Sequence, residues 1–117
     1  MEKKNKQISE DALQQHCYLW YHNTHREYRG LLFHVPNGGS RNKREAAKFQ
    51  IMGLYPGISD FIFLWGGRAF MIELKNEKGS QQPNQKKWEN TVVDNGFEYY
   101  IVRSLEAFQV LIGKIMG

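Results

Sequence analysis

The chain has 117 residues, enough for one domain with one core and too few for two. Its 41% apolar and 24% charged residues are a globular composition, which excludes a disordered chain. Sixteen Lys and Arg against twelve Asp and Glu leave a net charge of +4, a mild bias toward an anionic partner.

Residues 1–8 read as a charged tail ahead of a single domain over 9–117. Met1–Lys6 is polar and lysine-rich with no apolar run behind it, so a secretory signal is not expected. No apolar run is long enough to span a bilayer. A helix is predicted from the N-cap Ser9, with Glu10 and Asp11 favouring its positive end. Leu13, Cys17, Trp20 and Tyr21 give it one apolar face, and it should end around Asn23 to His25. Cys17, on that face, reads as a core residue and not a nucleophile. A single cysteine excludes an internal disulfide and a multi-thiolate zinc site, and it suits a reducing, cytoplasmic compartment.

Leu31–Val35 reads as a short strand, stopped by Pro36-Asn37-Gly38-Gly39. Arg41–Met52 is predicted as a basic helix closed by Gly53, and Tyr55-Pro56-Gly57 as a turn. Ile58–Trp65 and Arg68–Lys75 are two strands joined by Gly66-Gly67, a pair suited to a primed hairpin turn. After a loop over Glu77–Gln82, Pro83 opens a helix to about Asp94, which Gly96 terminates. Phe97–Arg103 is a strand, and Ser104 caps a last helix bearing Leu105, Phe108, Leu111, Ile112 and Ile115. The order predicts an α/β fold, a small mixed β-sheet flanked by helices.

The hairpin sets a register. With Gly66 and Gly67 as the loop, Trp65 faces Arg68, and Asp60 lies opposite Glu73 with Lys75 on the same face. Facing carboxylates destabilise a sheet. Ile62, Leu64, Met71 and Ala69 continue their face, while Phe61, Phe63, Trp65, Phe70, Ile72 and Leu74 fill the other. Two apolar faces predict a sheet covered on both sides. A carboxylate pair in such surroundings calls for a cation, and hard oxygen ligands suit Mg²⁺ or Mn²⁺. The bland alternative makes Asp60 a turn residue and Glu73 a partner of Lys75.

Glu10 falls within about 20° of Cys17 and Tyr21 on a helical wheel, inside the apolar arc, with Gln14 beside it. It reads equally well as a site residue and as an exposed first-turn carboxylate. Around Asn37, backbone amides next to glycines could meet phosphate. Arg41, Lys43, Arg44 and Lys48 could follow a nucleic-acid backbone without reading bases. A solvated helix face is the commoner meaning of such charges. Gln85 and Lys86, at a helix start, could meet a phosphate or be plain surface. His16, His22, His25 and His34 have no zinc-ligand spacing, and Walker-loop and serine-elbow signatures are absent.

Pro56-Gly57-Ile58-Ser59-Asp60, then Glu73-Leu74-Lys75, then Gln85 resembles the PD-(D/E)XK nuclease pattern. More narrowly, the chain resembles the virus-type replication-repair nuclease (VRR-NUC) branch of that superfamily. His34-Val35-Pro36-Asn37-Gly38-Gly39 with Arg41, Gly53-Leu54, Gly79, Gly96, and Glu10 with Gln14 carry that narrower likeness. It runs from about Ser9 to Phe108. Ser59 stands where a proline would precede Asp60, and Gln82 where a better N-cap would be expected.

The resemblance implies a restriction-endonuclease-like core and metal-dependent phosphodiester cleavage in DNA. It also implies a homodimer acting on branched or structured DNA, with a repair role in a bacterial or phage-infected host. In that reading Asp60 and Glu73 bind the metal, with the Leu74 carbonyl as a third ligand, and Glu10 completes the site or binds a second ion. Lys75 orients the attacking water, and Gln85 fixes Lys75 or the phosphate. Asn37, Arg41, Lys43, Arg44, Lys48 and Lys86 hold the DNA backbone. The residues alone also fit a non-catalytic nucleic-acid-binding module or a protein-interaction subunit.

Overall fold

A computed structural model describes residues 8–36 and 42–117. Helix α1 spans Glu10–Thr24, and Ser9 caps it by accepting a hydrogen bond from the Ala12 amide. A single 3₁₀ turn over Arg26–Tyr28, not anticipated from the sequence, leads to strand β1, Leu32–His34. The Tyr21 hydroxyl donates to the Tyr28 carbonyl at 2.6 Å and ties this turn to α1. Helix α2 runs Lys43–Ile51. It starts later than the predicted Arg41 because Asn42 takes an extended N-cap conformation and its side chain accepts from the Glu45 amide.

Strands β2 (Phe61–Trp65) and β3 (Arg68–Leu74) form the predicted hairpin. Trp65 pairs with Arg68 and Phe61 with Ile72, and Gly66 and Gly67 both take positive φ. That is the register the two-residue turn requires. Helix α3 (Pro83–Asp94) then crosses to β4 (Glu98–Val102), which lies parallel to β3, and α4 (Leu105–Met116) closes the chain. The sheet order is β1-β2-β3-β4, antiparallel except for its last pair.

One face of the sheet is fully closed. Phe61, Phe63, Phe70, Ile72, Leu74 and Val102 pack there with Leu13, Cys17 and Tyr21 of α1 and with Phe108 and Ile112 of α4. Burial pushes the Cys17 thiol up to about 12, with Glu106 adding to the shift, as expected of an inert core thiol. The second face differs from the sequence expectation. Helix α3 covers the β4 side, where Trp88 meets Tyr99 edge to face, but Phe33 and Leu64 remain 37% and 40% exposed. One crossover helix cannot cover the second face of a four-stranded sheet, and an alternating apolar pattern does not reveal how many helices lie on each side.

Candidate active site

The candidate site is assembled where β2 begins and β3 ends. The ladder stops at Phe61–Ile72, one step short of Asp60. Strand β2 therefore starts three residues later than the predicted Ile58, and Asp60 is not a ladder partner of Glu73. Its carboxylate instead accepts from the Leu74 amide, with Oδ2 at 2.7 Å. Its carbonyl accepts from the Val35 amide at 3.0 Å and from His34 Nδ1 at 2.7 Å. Asp60 is thus held from both neighbouring strands, with its side chain laid across the end of β3.

The preceding turn fixes this position. Gly57 has φ of +85°, and a Cβ there would come within 2.4 Å of the Asn84 carbonyl oxygen. Only glycine fits both the left-handed backbone and this close approach to the first turn of α3. The buried Ser59 donates its hydroxyl hydrogen to the Phe61 carbonyl at 2.9 Å, where the family pattern has a proline.

Glu73 is 0% exposed and Lys75 only 5%. Lys75 Nζ lies 3.5 Å from Glu73 Oε2 and 3.8 Å from Glu10 Oε1, so one ammonium joins a strand carboxylate to the first turn of α1. Glu10 therefore fits both of its sequence readings, lying in the first turn and facing the site. Gly79 makes room for it: a Cβ there would stand 3.0 Å from both Glu10 Oε2 and Asn76 Oδ1. Arg103 Nη1 donates to the carbonyls of Asn76 (2.9 Å) and Gly79 (2.7 Å), pinning this loop to the end of β4.

Charges crowd together here. Burial raises the Asp60 carboxyl above its ordinary range. The carboxylates of Glu73 and Glu10 add to the rise, while the Leu74 amide and His34 oppose it. Glu73 Oε2 is buried and has no hydrogen bond, whereas its Oε1 accepts from the Tyr99 hydroxyl and from Gln81 Nε2 at 3.1 Å. Burial and this bond to Glu73 raise the Tyr99 hydroxyl far above its ordinary value, so it is a donor.

A divalent cation fits these residues. Glu73 offers one buried, unbonded oxygen, and a second carboxylate beside it is costly to ionise alone. Among the described residues no group of three His, Cys, Asp or Glu side chains is placed to hold a metal ion by itself. Two carboxylates supplemented by water and substrate phosphate are a usual set for Mg²⁺.

The other sequence-derived candidates are more dispersed. Gln85 Oε1 accepts from the Gln82 amide at 2.8 Å, completing a capping box at the start of α3. That bond goes to the helix cap and not to Lys75, and it leaves the amide NH₂ end for a phosphate. Lys86 is exposed and pairs with Glu89 at 3.4 Å. Lys43, Arg44 and Lys48 are exposed on α2, which has no buried residue. Asn37 and Arg41 lie outside the described residues. Gln81, Tyr99 and Arg103 are not anticipated from sequence, and His34 enters there only through the family-like motif and as a histidine without zinc-ligand spacing. The contacts of Tyr99, Arg103 and His34 join segments distant in the chain. Tyr99 carries only a weak signal, a polar group on a strand of the sheet, and Gln81, in the loop before α3, carries none.

No helix among the described residues is long and apolar enough to cross a membrane. Among curated proteins none matches the chain significantly. A solved "VRR_NUC domain protein" superposes with a TM-score of 0.76 at 22% identity, over 95% of this chain and 90% of its own. A second, a "VRR_NUC domain", gives 0.59 at 16% identity, over 91% of this chain and 97% of its own. These likenesses concern the fold. The family model for the VRR-NUC domain matches residues 3–106. That span takes in the first-turn Glu10, the hairpin and the α3 cap, so the chain belongs to the VRR-NUC family and has its nuclease-type fold.

Proposed function

We propose that this protein is a divalent-metal-dependent DNA endonuclease that hydrolyses phosphodiester bonds in branched or structured DNA, such as four-way junctions or flaps. The observation that carries this reading is the buried, unbonded Oε2 of Glu73, 3.5 Å from Lys75 Nζ, with the Asp60 carboxylate near enough to feel the Glu73 charge. Asp60 and Glu73 would hold Mg²⁺ or Mn²⁺, with the Leu74 carbonyl as a third protein ligand, and Glu10 would complete the site or bind a second ion. When bound, the ion lowers the pKa of a coordinated water and polarises the scissile phosphate.

The chain's own residues do the rest. Lys75, an enclosed ammonium between Glu73 and Glu10, orients the attacking water and offsets charge that develops on the phosphate. The water's proton passes to solvent as its oxygen bonds phosphorus, and the bond from phosphorus to the leaving oxygen breaks. Gln85 and the amides that open α3 face the phosphate. Lys43, Arg44, Lys48 and Lys86, together with Asn37 and Arg41, track the backbone without reading sequence. We also propose a homodimer, which a symmetric junction would require for two cuts. The exposed Phe49, Ile51, Met52 and Tyr55 at the end of α2 are a suitable contact surface.

The test is incubation with single-stranded, duplex, flap and four-way-junction DNA, with Mg²⁺, Mn²⁺ or EDTA. The Asp60→Ala/Glu73→Ala double variant is run in parallel. Cleavage should need both the metal and the carboxylates, while the variant still binds DNA. A second reading, a non-catalytic nucleic-acid-binding module, draws on the absence of a three-ligand group among the described residues. Binding without cleavage under every condition would establish it.

A further inference from the structure

We propose that Tyr99 and Gln81 are positioning residues that leave Glu73 one free ligand oxygen, so that the site selects a small six-coordinate cation over calcium. The inference rests on the metal-site reading and goes beyond it by assigning the selectivity to two residues outside the family motif.

A carboxylate oxygen has two lone pairs. Glu73 Oε1 spends both, one on the Tyr99 hydroxyl and one on Gln81 Nε2 at 3.1 Å. The sheet register makes the first bond possible. Met71 pairs with Tyr99 and Glu73 with Ile101 across the parallel strands, so Tyr99 and Glu73 are diagonal neighbours on one face. Trp88 of α3 packs edge to face on the Tyr99 ring at 6.1 Å and limits its movement. Gln81 is held at its other hydrogen, because the same nitrogen donates to Glu89 Oε1 at 2.9 Å.

Glu73 therefore cannot swing to offer both oxygens without breaking two part-buried bonds. Its Oε2 has only the ion pair with Lys75 at 3.5 Å. Calcium commonly takes carboxylates through both oxygens in sites of six to eight ligands. Mg²⁺ requires an octahedron and takes one oxygen from each of one or two carboxylates. A Glu73 fixed in one-oxygen form thus disfavours calcium, and partners of this kind set metal affinity about 10–100-fold.

The experiment measures Mn²⁺ binding to the full chain without DNA, from the loss of the free-ion EPR signal, with Mg²⁺ and Ca²⁺ as competitors. Wild type, Tyr99→Phe, Gln81→Leu and Asp60→Asn are compared, each with its Tm. Wild type should need at least tenfold more Ca²⁺ than Mg²⁺ to displace Mn²⁺. Tyr99→Phe and Gln81→Leu should each shrink that ratio about tenfold. An unchanged ratio in a variant that keeps its wild-type Tm overturns the inference. If Tyr99→Phe does not fold, Gln81→Leu decides alone. If wild type binds no Mn²⁺, or Asp60→Asn binds it equally well, the metal reading itself fails and this inference fails with it.

Discussion

Glu73 and Lys75 are almost fully enclosed, and each is held by residues from other elements. The charged residues of α2 stand in solvent on a helix with no buried position, and Ile51 at its end is 87% exposed. The first region obtains its geometry from the sheet, from α1 and from two loops. The second obtains its shape locally, from the Asn42 cap and its own backbone hydrogen bonds. A centre that must place oxygens within tenths of an ångström needs the rigidity of packed elements. A surface that follows a phosphate backbone works through charge and tolerates displacement.

Removing charge from the enclosed region should separate the two most sharply. Asp60→Asn or Glu73→Gln should lower kcat by about a thousandfold or more. DNA binding, measured by fluorescence anisotropy in EDTA, should change little. Wild-type cleavage rates in either variant would remove these residues from the site.

The same region should show the larger structural sensitivity. Gly57→Ala forces a left-handed backbone and a Cβ into the Asn84 carbonyl. It should cost about 2–4 kcal/mol in urea unfolding. A loss below about 0.5 kcal/mol would mean that this turn is not packed on α3 as described.

Asp60 also gives the enclosed region a pH signature. Its folded-state pKa lies above the ordinary 3.8. Between those values the folded protein binds more protons than the unfolded chain, so stability falls as pH rises through the window. Above the folded value that loss is complete. Without divalent cations, Asp60→Asn should therefore have the higher Tm at neutral pH, and the advantage should vanish once the carboxyl is protonated in both the folded and the unfolded state. Equal pH dependence of Tm in the two proteins would contradict the burial of Asp60 and its crowding with Glu73 and Glu10.

On α2 the effects should be smaller and of another kind. Lys43→Ala, Arg44→Ala and Lys48→Ala together should weaken binding to every DNA equally. They should flatten the salt dependence by about one unit of slope for each phosphate that is no longer neutralised, with cleavage at saturating DNA unaltered. A change in kcat without a change in binding would place α2 at the chemistry. The smallest effect is expected for Asn42→Ala, about 1 kcal/mol of local helix stability. Amide exchange confined to α2 would register it.

Much of this architecture is legible in the chain because local rules suffice for it. Ser9 and Ser104 cap their helices as expected, Pro83 opens α3, and Gly66-Gly67 sets the hairpin register. Strand alternation, which is local, puts Glu73 and Lys75 on one face. Asp60 joins them in the sequence reading through a ladder pairing that is not formed, and Glu10 through the family resemblance. Cys17 could be assigned to the core from the helical period, which is local as well.

Other features belong to the tertiary structure alone. Asp60 leaves the ladder to accept the Leu74 amide because Gly57 anchors the preceding turn on α3, an element that follows it by more than twenty residues. The second sheet face is left partly open because one crossover helix covers only the β4 side. Tyr99, Gln81 and Arg103 reach the site across strands and loops, and no periodicity encodes which distant residue lies diagonally opposite. Residue spacing along one element determines which groups share a face. The packing of different elements decides which oxygen of Glu73 is tied and which is left open to the site.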